Sequence, residues 1–154
     1  MYRLERQVDI AIDADTLWQF IATPRNLDQI TPPELKFRII SDVPDQMYDG
    51  LLIRYQISIP LFGKREWLTE ISDIVPGESF VDTQLEGPYK SWRHFHKLEP
   101  IGGDSSRMID RIDYELPFGP VGALTHDLIV RRQLEEIFDY REKALREIFL
   151  LADT

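Results

Sequence analysis

Residues 90–116, KSWRHFHKLEPIGGDSSRMIDRIDYEL, hold two runs in which apolar or aromatic side chains alternate with charged ones, joined by the turn signal Pro-Ile-Gly-Gly-Asp-Ser-Ser. Alternation of period two marks a strand with one dry and one wet face. The short connection makes the two runs antiparallel neighbours, because a parallel pair needs a long crossover. Trp92, His94 and His96 share a face of the first run, and Met108, Asp110, Ile112 and Tyr114 share a face of the second.

The same kind of text extends toward the N-terminus. Strands are predicted at Leu35–Ser41, Leu51–Ile59, Arg65–Asp73 and Phe80–Leu85, followed by Lys90–Leu98 and Arg107–Leu116. The turn signals DVPDQMYDG, PLFG, VPGE and EGPY separate them. Tyr2–Ile12, with apolar residues on even positions, adds a seventh strand to one antiparallel sheet. Between it and the rest, Asp13 or Asp15 caps a short helix carrying Leu17, Trp18, Phe20 and Ile21, which stops near Pro24. A second short helix over Arg25–Ile30 ends before Pro32-Pro33. From Val121 to Leu151, Leu124, Leu128, Leu134, Phe138, Leu145 and Ile148 recur near helical spacing without a proline. A helix of about 30 residues spans about 45 Å, enough to cross such a sheet. The expected class is α+β.

Composition bounds what this fold can be used for. With 154 residues, 43% of them hydrophobic and 11% aromatic, the chain is read as a single folded domain over residues 1–154. Its formal charge of −9 opposes phosphate backbones and anionic lipid surfaces, so no nucleic-acid partner is expected. The absence of cysteine excludes disulfides, a thiolate nucleophile and thiolate-held metal. The charged N-terminus lacks the apolar stretch of a secretory peptide, and no window approaches the ~18 apolar residues of a membrane span. A cytoplasmic location follows as an expectation. No serine sits in a Gly-x-Ser-x-Gly elbow, and neither Gly102-Gly103 nor Gly119–Gly122 fits a nucleotide-binding loop, so no cofactor is expected.

Strand parity assigns faces. Pairing Ile57 with Trp67, Thr69 with Thr83, Thr83 with Trp92, and His94 with Asp110 brings one set together. From the earlier strands it holds Ile53, Tyr55, Ile57, Trp67, Thr69, Ile71, Val81, Thr83 and Leu85. Trp92, His94, His96, Met108, Asp110, Ile112 and Tyr114 complete it. The opposite parity is polar apart from Leu68 and Phe95, and includes Asp82. Aromatics mixed with threonine, histidine and aspartate are an unusual choice for a plain core, since each buried polar group needs a partner. They are the expected walls of a ligand cavity under a helix too narrow to fill the sheet. His94, His96 and Asp110 admit three roles: a two-histidine, one-carboxylate metal site, a base oriented by a carboxylate, or the polar end of a binding pocket. The structural reading ranks above chemistry, and no metal is expected. Arg131, Arg132 and Arg141, set among acids in VRRQLEEIFDYRE, admit an approach to an acidic ligand, but a solvated, salt-linked helix face ranks above it.

The order of elements resembles the helix-grip fold of the START-like (SRPBCC) superfamily, shared with the birch-pollen allergen family and the polyketide cyclase/dehydrase and lipid-transport family. Gly87-Pro88-Tyr89 before Trp92-x-His94-x-His96 is similar to a bacterial branch whose members stand alone or are joined to an epimerase-like domain. So are the run Met108-x-Asp110 to Tyr114, Pro117-Phe118-Gly119, and Arg131-Arg132 followed by Ile137-Phe138-x-Tyr140-Arg141. The resemblance implies a hydrophobic ligand between sheet and C-terminal helix, such as a lipid, quinone or aromatic polyketide-like molecule. Three functions follow as expectations. The first is ligand binding, with aromatic walls and a His94/His96/Asp110 polar end. The second is cyclase or dehydratase chemistry, with His94 as base, Asp110 as its orienter and Tyr114 as donor to an enolate oxygen. The third is an interaction module for an epimerase-like protein partner.

Overall fold

The computed structural model describes residues 1–59 and 63–150, without the side chains of Thr125, Asp127 and Leu128. Strand β1 (Tyr2–Ile10) leads into helix α1 (Ala14–Ile21), which Asp13 caps by accepting hydrogen bonds from Thr16 N at 3.0 Å and Thr16 Oγ1 at 2.7 Å. Two 3-10 segments follow, Pro24–Ile30 and Pro33–Leu35, each begun by proline. Then come β2 (Arg38–Ile39), β3 (Leu52–Ile59), β4 (Gly63–Val75), β5 (Ser79–Glu86), β6 (Ser91–Gly102) and β7 (Ser105–Glu115). All seven strands form one antiparallel sheet in the order β1-β7-β6-β5-β4-β3-β2. The chain closes with α2 (Gly119–Thr125), a π-helical stretch His126–Val130, and α3 (Arg131–Leu150).

Expected and observed elements differ at several edges. The first strand stops at Ile10, and the strand expected over Leu35–Ser41 shrinks to two residues because Pro33 begins a 3-10 turn that ends at Lys36 in the left-handed region. The C-terminal helix begins at Gly119 and is interrupted by the π stretch. Leu151, the Leu128 side chain and Pro60-Leu61-Phe62 of the PLFG turn lie outside the described residues. Gly122 is required where α2 leaves β7: a Cβ there would stand 2.2 Å from the Pro117 carbonyl oxygen.

Register decides which side chains meet. Tyr55, not Ile57, faces Trp67, and His96, not His94, faces Asp110; both are shifts of two residues, which keep every side chain on its expected face. Strand β5 is different. Asp73 takes a positive φ of 54° inside a bulge, and the displaced strand is pinned where Ile74 N donates to Asp49 Oδ1 at 2.9 Å. The one-residue shift pairs Thr69 with Gln84 and Ile71 with Asp82. A second, between β5 and β6, pairs Thr83 with Arg93 and Asp82 with His94. The two shifts cancel for β4 and β6 but invert β5: Phe80 and Asp82 face the helix side, and Val81, Thr83 and Leu85 face away.

The far face is stitched by directly opposed ion pairs across β1 and β7: Arg3–Asp113 at 2.6 Å, Glu5–Arg111 at 3.1 Å and Asp9–Arg107 at 2.9 Å. Such exposed pairs fix register more than they add stability. Stability comes from the near face, where two apolar clusters join helix to sheet. One packs Leu145 and Phe149 of α3 against Val8, Ile10, Leu17, Phe80, Leu98 and Met108. The other packs Leu134 and Phe138 against Leu4, Ile59, Trp67, Tyr89 and Ile112. Leu145 is fully buried, so Leu145→Ala should lower unfolding free energy in urea by about 2–5 kcal/mol. A loss below ~1 kcal/mol would contradict the docking of α3 against the sheet.

Candidate functional site

Between the two apolar clusters the packing of α3 on the sheet leaves a cavity of about 180 Å³. Its floor is the near face of β3 to β7. Its roof comes from α3 through Gln133, Leu134, Ile137, Phe138 and Arg141, and its rim includes Phe20, Leu27, Ile30 and Phe37 from the segments after β1. Most of this wall is aliphatic or aromatic. Tyr55 stacks on Trp67 with ring centroids 5.7 Å apart, and Trp67 meets the edge of Trp92 at 5.2 Å.

Two histidines and two aspartates form a cluster in this wall. His94 and His96 lie two apart on β6, flanked by Asp82 on β5 and Asp110 on β7. Each carboxylate faces one ring across the ladder and bonds most closely to the diagonal one. His94 Nε2 stands 2.7 Å from Asp110 Oδ1, and His96 Nε2 stands 2.5 Å from Asp82 Oδ2. The complementary approaches are longer: His96 Nδ1 to Asp110 Oδ1 at 3.4 Å, and His94 Nδ1 to Asp82 Oδ2 at 3.7 Å. The imidazoles stack on each other at 3.6 Å, and His96 stacks on Phe80 at 4.1 Å. His94 is 4% exposed and Asp110 2%.

Burial and pairing separate the two histidines. Burial pushes the His94 pKa below the usual value of 6.5, and the neighbouring charge of His96 adds to this against the pull of Asp110 and Asp82. For His96, burial is outweighed by hydrogen bonds to Asp110 and Asp82, which hold its pKa above 6.5. Both aspartates resist burial in the same way. Hydrogen bonds from His96 to Asp82, and from His94 and His96 to Asp110, with the charges around them, keep the carboxyls below the ordinary aspartate range. The two rings are therefore driven apart: His96 holds its proton to higher pH than an ordinary imidazole, His94 loses its proton at lower pH, and both aspartates favour the carboxylate. With Nε2–H of His94 donated to Asp110, its Nδ1 lone pair makes no hydrogen bond among the described residues.

Asp82, His94 and His96 also present donor atoms within 4.8 Å of one another, close enough for one divalent ion to touch all three, with Asp110 behind His94. The same contacts are satisfied by protons in the arrangement described.

The structure sorts the residues named from sequence. Tyr55, Ile57, Trp67, Thr69, Ile71, Trp92, His94, His96, Met108 and Asp110 all line the cavity. Val81 and Thr83 do not, because the register shift moves them off the cavity face, Val81 remaining buried there at 2% exposure; the Thr83 carbonyl accepts a hydrogen bond from Thr69 Oγ1 at 3.1 Å. Ile112 lies in the apolar cluster beneath. Tyr114 is outside the cavity wall, its hydroxyl 2.7 Å from His126 Nε2 and its pKa pushed up to about 12 by burial. Asp82, Phe80, Tyr89, Gln133 and Arg141 also line the cavity, although sequence reading put Asp82 on the polar face and Arg141 on a solvated helix face and counted none of the five among the cavity walls. Arg131 and Arg132 are exposed as expected, with Arg132 paired to Glu136 at 3.3 Å. Arg141 is half-buried and falls at helical spacing between the buried Phe138 and Leu145, and that spacing is the signal that could have found it.

No protein-family model matches the sequence, nor does any curated protein. Solved structures do match. A START superfamily protein from Mycobacterium smegmatis aligns with TM-score 0.75 and 17% identity, over 99% of each chain. The ZhuI aromatase/cyclase from Streptomyces sp. R1128 aligns with TM-score 0.68 and 15% identity, over 96% of this chain and 95% of that one. Norcoclaurine synthase from Thalictrum flavum aligns with TM-score 0.70 and 15% identity, over 99% and 96%. Among the described residues no helix is long and apolar enough to cross a membrane. With its sheet order and its C-terminal helix closing one face, the chain has a helix-grip fold, the architecture it shares with these solved structures.

Proposed function

We propose that the chain is an enzyme of the dehydratase or aromatase/cyclase type, acting on a compact carbonyl compound held in the cavity. The observation that carries this reading is the buried His94/His96/Asp82/Asp110 cluster. A pocket that only retains an apolar ligand gains nothing from four desolvated ionisable groups, each of which weakens burial unless paired. A neutral imidazole oriented by a buried carboxylate is the arrangement that proton abstraction needs near neutral pH. His94 Nδ1 takes a proton from the carbon beside the carbonyl, while Asp110 holds Nε2–H and stabilises the imidazolium that forms. The electron pair left on carbon becomes the new C=C bond as the β C–O bond breaks. The imidazolium returns its proton to the departing hydroxide, so water leaves and the base is restored.

Tyr114 is engaged by His126 outside the cavity wall, so the donor to the enolate oxygen is better assigned to Tyr55, which lines the cavity and whose hydroxyl burial keeps protonated. The cavity size bears on substrate class: an apolar void of roughly 150 Å³ accepts benzene, and drug-sized pockets run to roughly 300–1,000 Å³. A single-ring or short polyketide-like substrate fits the 180 Å³ present. The likeness to an aromatase/cyclase supports the reading at the level of fold. Binding without turnover is the second reading, favoured by the aromatic walls of Tyr55, Trp67 and Trp92.

Dehydration of small aryl β-hydroxyketones, followed by the absorbance of the conjugated product, separates the two. His94→Gln and Asp110→Asn should each lower the rate about 10²-fold or more, while substrate quenching of Trp67 and Trp92 fluorescence persists. Quenching by the wild type without turnover of any such ketone would leave only the binding reading, and unchanged rates in both variants would remove the assigned roles. Chelation provides a further check. The proton-transfer account expects the rate to survive dialysis against EDTA, and loss restored by a divalent ion would reassign Asp82, His94 and His96 as metal ligands.

A further inference from the structure

The cavity carries a second polar feature, separate from the histidine–aspartate cluster. Three buried donor atoms in its wall have no hydrogen-bond partner among the described residues: Arg141 Nε, Gln133 Nε2 and Trp67 Nε1. Trp67 is 5% exposed, so its indole N–H cannot be satisfied by bulk water. Arg141 makes no hydrogen bond or ion pair among the described residues; its guanidinium lies 4.9 Å from the centre of the Phe138 ring. Acids near it on α3 are already taken. Arg6 holds Asp139 at 2.6 Å and reaches Glu142 at 3.5 Å, and Arg146 holds Glu142 at 3.1 Å. A buried guanidinium N–H without an acceptor is costly unless a ligand supplies one.

We propose that Arg141 is the anchor for a carboxylate or comparable oxyanion on the ligand, and that Trp67 and Gln133 bind an acceptor oxygen at the other end. A guanidinium presents several donors in a fixed plane that suits a carboxylate. Gln133 lies eight residues before Arg141 on the same helix, about 12 Å along the axis at 1.5 Å per residue, so the two cannot serve one small group. Phe138 stands between these positions in sequence. Its ring meets both the Arg141 guanidinium at 4.9 Å and the His94 ring at 5.8 Å, which puts the anion anchor and the imidazole one aromatic ring apart. Asp82 feels the charge of Arg141, but Asp82 and Asp110 accept their hydrogen bonds from the two imidazoles and none from the guanidinium. The ligand class that follows is an aromatic or short-chain acid bearing a carbonyl or hydroxyl at its far end. This rests on the cavity reading above and deepens it by fixing charge and polarity.

The test compares 4-hydroxyphenylacetate with its neutral amide, and toluene as an uncharged ring, by quenching of tryptophan fluorescence at neutral pH. The acid should bind at least about tenfold tighter than the amide, in line with a charge-assisted pair. Arg141→Gln should erase that preference while toluene still quenches, Arg141→Lys should restore part of it, and Arg132→Gln on the exposed face should leave it unchanged. Circular dichroism identifies a variant that fails to fold, and in that case the wild-type acid-to-amide ratio decides alone. Equal binding of acid and amide with toluene retained would overturn the anion anchor and leave the cavity reading standing, as would a preference that survives Arg141→Gln. That equal-binding result would assign Arg141 to balancing the charge of the cluster. If none of the three probes binds, both readings fall.

Discussion

A carboxylate removed from water must be met by a cation, a proton donor or a proton of its own, and this chain turns two of them into an apolar cavity. Asp82 and Asp110 flank His94 and His96 on three adjacent strands, so the sheet ladder itself supplies each acid with an imidazole partner. The rest of the near face is arranged around that requirement. Apolar packing of α3 closes on either side of the cluster. There the rings are driven apart, the His96 pKa above the ordinary imidazole value by its two carboxylate partners and the His94 pKa below it by burial. The fold thus performs the separation of acid and base that proton transfer demands.

Much of this was legible in the alternation of residues. Seven strands, the short helices after the first and a long C-terminal helix follow from hydrophobic period and turn chemistry, because one buried face forces those patterns. Most of the cavity floor was legible as well, since parity on β3, β4, β6 and β7 fixes which residues share a face. What escaped reading is concentrated at β5. Asp73 occupies the left-handed region in a bulge that no motif announces, and one extra residue there exchanges Val81 and Thr83 for Phe80 and Asp82. The second acid of the cluster was therefore assigned to the wet face.

Arg141 and Tyr114 illustrate two further limits. Charges beside Arg141 in sequence suggest a solvated helix face, yet Arg6 reaches over from β1 to claim Asp139 and Glu142, a contact 133 residues away in the first case. Helical spacing was the better guide, and it placed Arg141 on the same stripe as Phe138. Tyr114 has the right parity for the near face, but the turn of chain through Gly122 and the π-helical stretch brings His126 over its hydroxyl and seals it from the cavity. Parity predicts a face, whereas the neighbour across that face is set by tertiary packing.

Protonation of the two β6 histidines is the most direct test of the account, and it needs no substrate. Long-range proton–nitrogen NMR of ring-labelled protein, assigned with single histidine substitutions, reports charge and tautomer for each ring. At neutral pH His94 should be uncharged with its proton on Nε2 and should titrate below 6.5, while His96 should keep both protons until the pH rises above 6.5. If the two rings instead titrate together at the value of a free imidazole, or if His94 carries its proton on Nδ1, the cluster is solvated or wired differently. The division of acid and base on which everything else depends would then be absent.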